Sequence, residues 1–137
     1  MSDAYGVSMV TVDGGPTALG RTAAGSLTLV ADRPVAAGGG GLGFNGGQLL
    51  YLSIAACVSN DVYREAATMG ITVRRVVVEV DGDFPARGAA STPIEVAVTV
   101  EADADDAAVD ALIAEVDRVA EIPNTIRGTV PVTIRRA

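Results

Sequence analysis

Residues 48–69 constrain this chain more than any other segment. They contain neither glycine nor proline, and Gly70 follows where a left-handed residue commonly ends a helix. Asn45 stands before them with Gln48 three residues on, the spacing of a capping box. One long helix is therefore predicted. Its first part, LLYLSIAACV, is apolar all round, and a helix of that kind has to be covered on every side. The chain has 137 residues, enough for a single domain over residues 1–137, and the pattern offers only one other helix to do the covering. A second copy of the chain is the simplest cover, so a homodimer with this helix at its centre is expected. The alternative is a helix held between the sheet and the second helix of its own chain.

The remaining elements follow from shorter patterns. Residues 7–12 (VSMVTV) are rich in β-branched side chains and read as a strand, ended by Gly14-Gly15-Pro16. Residues 27–30 alternate and read as a second strand. Residues 71–80 (ITVRRVVVEV) form a third, followed by a turn at Asp81-Gly82-Asp83. Residues 94–100 (IEVAVTV) alternate cleanly and are its expected hairpin partner. Residues 105–120 place Val109, Leu112, Ile113, Val116 and Val119 at helical spacing, with acidic groups in the first turn, where the helix dipole favours them. Pro123 breaks this helix, and residues 130–134 form the last strand. The order β-β-α-β-β-α-β belongs to an α+β fold.

Composition removes many chemistries. There are 17 acidic and 10 basic residues, giving a net charge of −7, which argues against nucleic acid or an anionic membrane as partner. Every basic residue is arginine, histidine is absent, and Cys57 is the only cysteine. Ser–His–Asp and Cys–His catalysis, imidazole metal sites, Schiff bases and intrachain disulfides are thereby excluded. No metal and no cofactor is expected. No apolar run approaches the ~18 residues of a membrane span. A lone cysteine with no signal-peptide pattern suggests a reducing, cytoplasmic setting. The all-arginine, Ala/Val/Gly-rich composition suits a GC-rich bacterial genome.

Several motifs invite a functional reading. Gly41-Leu42-Gly43-Phe44-Asn45-Gly46 has the form GxGxxG and precedes a helix, as phosphate-binding loops do. No lysine and no following parallel unit with an acidic ribose partner accompany it, so it reads as a mobile loop with a tight lead into the helix. Asp103, Asp105, Asp106 and Asp110 read as a helix N-terminus and solvated face rather than a metal cluster. Arg74-Arg75 and Arg135-Arg136 read as exposed strand charges, and Tyr51 and Tyr63 as packing residues.

Cys57 is the remaining candidate. Its helical face carries Leu50, Ser53, Ile54, Asn60, Asp61 and Arg64. Apolar packing and Asp61 would raise its pKa, and the helix N-terminus is too distant to lower it. Arg64 lies two turns on, roughly 10 Å along the axis. Nothing on this helix alone activates the thiol. Cys57 is either a small buried hydrophobe or a nucleophile served by an arginine from elsewhere in the chain or from a second subunit.

The ordering of elements and three stretches resemble the OsmC/Ohr family. Asn45-Gly46-Gly47-Gln48-Leu49-Leu50 followed by Ala55-Ala56-Cys57 is similar to that family's central-helix motif, Asn-Pro-Glu-Gln-Leu then Ala-Ala-Cys. Gly70-Ile71 and residues 76–82 resemble the strand that runs off it. Ala120-Glu121-Ile122-Pro123-Asn124-Thr125-Ile126 and Val130-Pro131-Val132 resemble the family's second site, where Cys-Pro is followed by a short helix and the last strand.

The resemblance implies an OsmC-like fold and an intertwined homodimer with two active sites at the subunit interface. It implies reduction of hydroperoxides by a peroxidatic cysteine, a resolving cysteine, an arginine and a glutamate. Cys57 falls on the peroxidatic position, and Arg21 matches the arginine. The resolving position falls on Ile122 and the glutamate position on Gly47, so this is a divergent member without the second cysteine. An external thiol would then serve as reductant for a small organic hydroperoxide. The alternative is a non-catalytic dimer that keeps the fold, either binding a small hydrophobic ligand or acting structurally.

Overall fold

A computed structural model describes residues 5–12, 14–25 and 27–137. Contacts divide the chain into two units, residues 1–49 and residues 50–137.

The first unit is built on a three-stranded antiparallel sheet of β1 (Val7–Thr11), β2 (Ala18–Thr22) and β3 (Thr28–Ala31), with β2 in the middle. The sequence pattern had no place for β2. Its ALGRT segment carries a glycine and one β-branched residue, so intrinsic preference is weak. Hydrogen bonding to a neighbour on each side makes it a strand nonetheless. Gly20 suits the position, because a Cβ there would lie 3.1 Å from the Met9 Cε that covers it.

The glycine-rich stretch that follows is tied down rather than loose. Asp32 is buried, and its carboxylate accepts hydrogen bonds from Thr17 Oγ1 (3.0 Å) and from the backbone N–H of Arg33 (2.7 Å), Gly40 (3.3 Å) and Leu42 (3.1 Å). Phe44 then returns to the edge of β3, its N–H donating to Val30 O (3.2 Å) and its carbonyl accepting from Asp32 N–H (3.0 Å). The close approach requires Gly43, where a Cβ would stand 2.3 Å from Val30 O. Burial by itself would raise the Asp32 pKa. The donors from Leu42, Arg33, Thr17 and Gly40 outweigh it and hold the carboxyl below its ordinary value. The Gly40 and Leu42 amides, which a phosphate-binding loop would offer to its ligand, here serve an internal anion.

Helix α1 (Gly46–Thr68) runs from the first unit into the second. Its start is the expected capping box. Gln48 N–H donates to Asn45 Oδ1, and Asn45 N–H to Gln48 Oε1, each at 2.9 Å. Gly70 closes it with φ of 70°.

In the second unit, β4 (Val73–Asp81) and β5 (Ile94–Ala102) form the expected antiparallel hairpin, and β6 (Val132–Arg136) joins β5 in parallel. A parallel neighbour needs a crossover. It is made by α2 (Asp106–Val119) and a short α3 (Glu121–Ile126). Asp105 caps α2 by accepting from Ala108 N–H at 2.8 Å. α2 ends at Val119, where Ala120 turns extended; Pro123, expected to break the helix, instead lies in the first turn of α3. A proline in a first turn costs no hydrogen bond, because those N–H groups have no helical partner. Arg127 fastens the crossover, with Nε donating to Val132 O (3.0 Å), Nη1 to Asp117 O (2.9 Å) and Asn124 Oδ1 (2.7 Å), and Nη2 pairing with the Asp117 carboxylate.

The core of this unit brings together Ile54, Val58 and Val62 of α1, Ile94, Val96 and Val98 of β5, and Leu112 and Val116 of α2. Arg74, Arg75 and Arg136 are paired as well as exposed. Arg74 meets Asp103, Arg75 meets Glu101 (3.0 Å), and Arg136 meets Asp106 (2.8 Å) and Asp110 (2.9 Å). Those last two aspartates thus anchor β6 to the first turns of α2.

Candidate functional site

Cys57 sits one turn before Asp61 on α1, half-buried against the edge of the core. Two carboxylates reach its sulfur. Asp61 Oδ2 lies 3.7 Å from Sγ, and Glu121 Oε2, from the first residue of α3, lies 3.9 Å away. Each carboxylate turns its other oxygen to Arg64. Nη1 of that side chain stands 3.1 Å from Asp61 Oδ1 and 3.5 Å from Glu121 Oε1, while its Nε pairs with Glu65 at 2.8 Å. Asp61 is buried, Glu121 is exposed, and Arg64 lies between them in exposure.

This arrangement favours a neutral thiol. Burial pushes the Cys57 pKa up, the backbone amide of Ile122 pulls it down, and the charges of Asp61 and Glu121 push it up again, with a net rise. Asp61 is raised too, chiefly by burial, with Arg64 acting against the shift. Cys57 Sγ and one carboxylate oxygen each of Asp61 and Glu121 all lie within 4.8 Å of one another. The Arg64 guanidinium already spans the far oxygens of the two carboxylates.

The expected site residues fall as follows. Cys57 and Asp61 meet, as their helical spacing implies. Arg64 is not stranded two turns away, because its long side chain folds back to Asp61 and Glu121. Arg21 stands in β2 of the first unit, exposed, opposite Ser8 on β1 and Thr28 on β3. The groups around Cys57 named above belong to the second unit. Gly47 lies in the first turn of α1 and offers no side chain. Ile122, expected at the second-cysteine position, supplies its backbone amide to the Cys57 sulfur. Glu121 is the residue that pattern reading missed. Its one signal was its place beside Ile122, in the segment matched to the second site. Tyr51 packs as expected, stacked on Phe84 (centroids 5.8 Å apart) with its hydroxyl 2.7 Å from Ser91 Oγ.

The sequence profile of the OsmC-like protein family matches residues 38–135. The chain is a member of that family. Solved OsmC-like structures share the fold across nearly its whole length. The OsmC-like protein of Mycoplasma pneumoniae superposes with a TM-score of 0.79 at 18% identity, covering 100% of this chain and 99% of that one. An organic hydroperoxide resistance protein OsmC from Legionella pneumophila gives 0.71 at 23% identity, with 97% of each chain covered. The organic hydroperoxide resistance protein OhrB of Bacillus subtilis gives 0.68 at 20% identity, with 96% of each covered. No curated protein sequence matches the chain. Among the described residues, no helix is long and apolar enough to cross a membrane.

Proposed function

We propose that this OsmC-like protein reduces small organic hydroperoxides with Cys57 as its only redox cysteine and an external thiol as reductant. The Cys57 thiolate attacks the outer peroxide oxygen, the O–O bond breaks, and the alkoxide takes a proton to leave as alcohol. Cys57 is left as a sulfenic acid. An external thiol condenses with it, releasing water and forming a mixed disulfide, and a second thiol restores Cys57 while leaving as the disulfide. The observation that carries this reading is the convergence of polar groups on a half-buried sulfur. A cysteine kept for packing alone needs no such surroundings.

The thiolate needs a cation that the neighbouring carboxylates do not provide. Arg21 is assigned that role, acting with Cys57 in a homodimer. Exposed apolar side chains support a second copy as cover: Val7, Val10 and Leu29 on the first sheet, and Leu50 and Leu52 on α1. A reducing, cytoplasmic, bacterial setting fits a lone free thiol.

A second reading is favoured by the raised thiol pKa and by Ile122 in place of a resolving cysteine. In it the dimer binds a small hydrophobic ligand, or acts structurally, without catalysis. Exposure of the protein to an organic hydroperoxide, followed by a sulfenic-acid trap and mass measurement, separates the two. A trapped adduct on Cys57 near neutral pH supports reduction. An unmodified Cys57 in folded protein, with modification after unfolding, supports the binding dimer.

A further inference from the structure

We propose that Glu121 is a positioning residue for Cys57, with one carboxylate oxygen turned to the thiol and the other holding Arg64 against Asp61. The inference rests on the reading of Cys57 as the reactive group and adds a determinant that belongs to α3. Four charged side chains bear on the thiol or on its immediate partners: Asp61, Arg64 and Glu65 from α1, and Glu121 from α3. With Cys57 neutral, Asp61, Glu65 and Glu121 already share one guanidinium. Loss of the thiol proton would add a fourth anion to that single cation, with Asp61 and Glu121 within 4 Å of the sulfur. Movement or neutralisation of Glu121 therefore eases release of the nucleophile. Asp61 is buried and fixed on the helix of Cys57, whereas Glu121 is exposed and stands on a separate short helix. Of the two, Glu121 is the one open to solvent. The direction of the Cys57 shift, to which Glu121 contributes, agrees with this geometry. Glu121, the first residue of α3, thus governs the thiol of α1.

The test is the pH profile of Cys57 alkylation by iodoacetamide, a neutral reagent, on the folded full-length protein. Glu121→Gln keeps the shape and removes the charge. It should move the midpoint to lower pH and speed alkylation at neutral pH roughly fivefold, the effect of one screened charge at this distance. Glu121→Ala should shift the midpoint in the same direction, and Glu121→Asp should keep it nearer the wild-type value. A merely structural role for Glu121 would change the rate through exposure and leave the midpoint in place. Superimposable profiles for wild type and Glu121→Gln, or a midpoint moved to higher pH, would overturn the proposal. Alkylation needs no hydroperoxide, so this result stands apart from the sulfenic-acid trap, and either reading can fail alone.

Discussion

Replacing Gly43 with alanine tests how the glycine-rich loop is held. The added Cβ would stand 2.3 Å from Val30 O and 2.6 Å from Val30 C. Both are backbone atoms of β3, so no side chain can rotate out of the way. Relief requires the loop to lift from the strand edge, which breaks Phe44 N–H to Val30 O (3.2 Å) and Asp32 N–H to Phe44 O (3.0 Å). Each such bond contributes about 1 kcal/mol net, so the lift costs about 2 kcal/mol. Alanine also restricts the unfolded chain, which offsets about 0.5 kcal/mol of that loss. The expected net destabilisation is about 1.5 kcal/mol. Urea unfolding measures it through the midpoint, and amide exchange at Asp32 and Phe44 should lose protection locally. Gly46→Ala is the control. Nothing lies within 4 Å of the point where its methyl group would stand, and the residue opens α1, so the change should be neutral or stabilising by up to about 1 kcal/mol. A Gly43→Ala protein within about 0.5 kcal/mol of wild type, with both amides still protected, would refute the reasoning.

Further outcomes follow from the second unit. Because the Cys57 thiol is held neutral, its reaction with any electrophile should accelerate as pH rises above neutrality, measured by mass spectrometry of timed samples; a rate independent of pH would contradict the placement of Asp61 and Glu121. Asp61 has a folded pKa raised above its unfolded value, so the protonated form favours folding. Its contribution is fully present below the unfolded pKa and is lost as pH rises through the folded pKa. Asp61→Asn should flatten that part of the stability-against-pH curve. An unchanged slope in urea titrations across the acid range would count against the burial of this carboxylate. Leu112→Ala removes a fully buried side chain between α2 and the sheet and should cost about 3 kcal/mol, whereas Tyr63→Ala, at an exposed position on α1, should cost far less. Comparable losses in the two would contradict the assigned core.

Much of the architecture was legible because local rules governed it. The capping box at Asn45 and Gln48, the stop at Gly70, the helical spacing of α2 and the alternation of β5 each depend on neighbours a few residues apart. Where local preference was weak, the pattern was silent. β2 owes its form to bonds with β1 and β3, and α3 forms around a proline that reads as a breaker. The glycines of the loop suggested a ligand cradle or mobility, yet they let the backbone close on Asp32 and Val30.

For the site, residue identity and helical spacing left a single thiol and put Asp61 and Arg64 on its face, while the family resemblance matched Gly47 and Ile122 to the glutamate and second-cysteine positions. Packing of distant segments, in contrast, brings Glu121 to Cys57 and draws Arg64 to two carboxylates. Residues 57 and 121 lie on different helices, and what joins them is the packing of α1, α2 and the sheet around a common core. No local periodicity encodes which side chains that packing brings within 4 Å of each other.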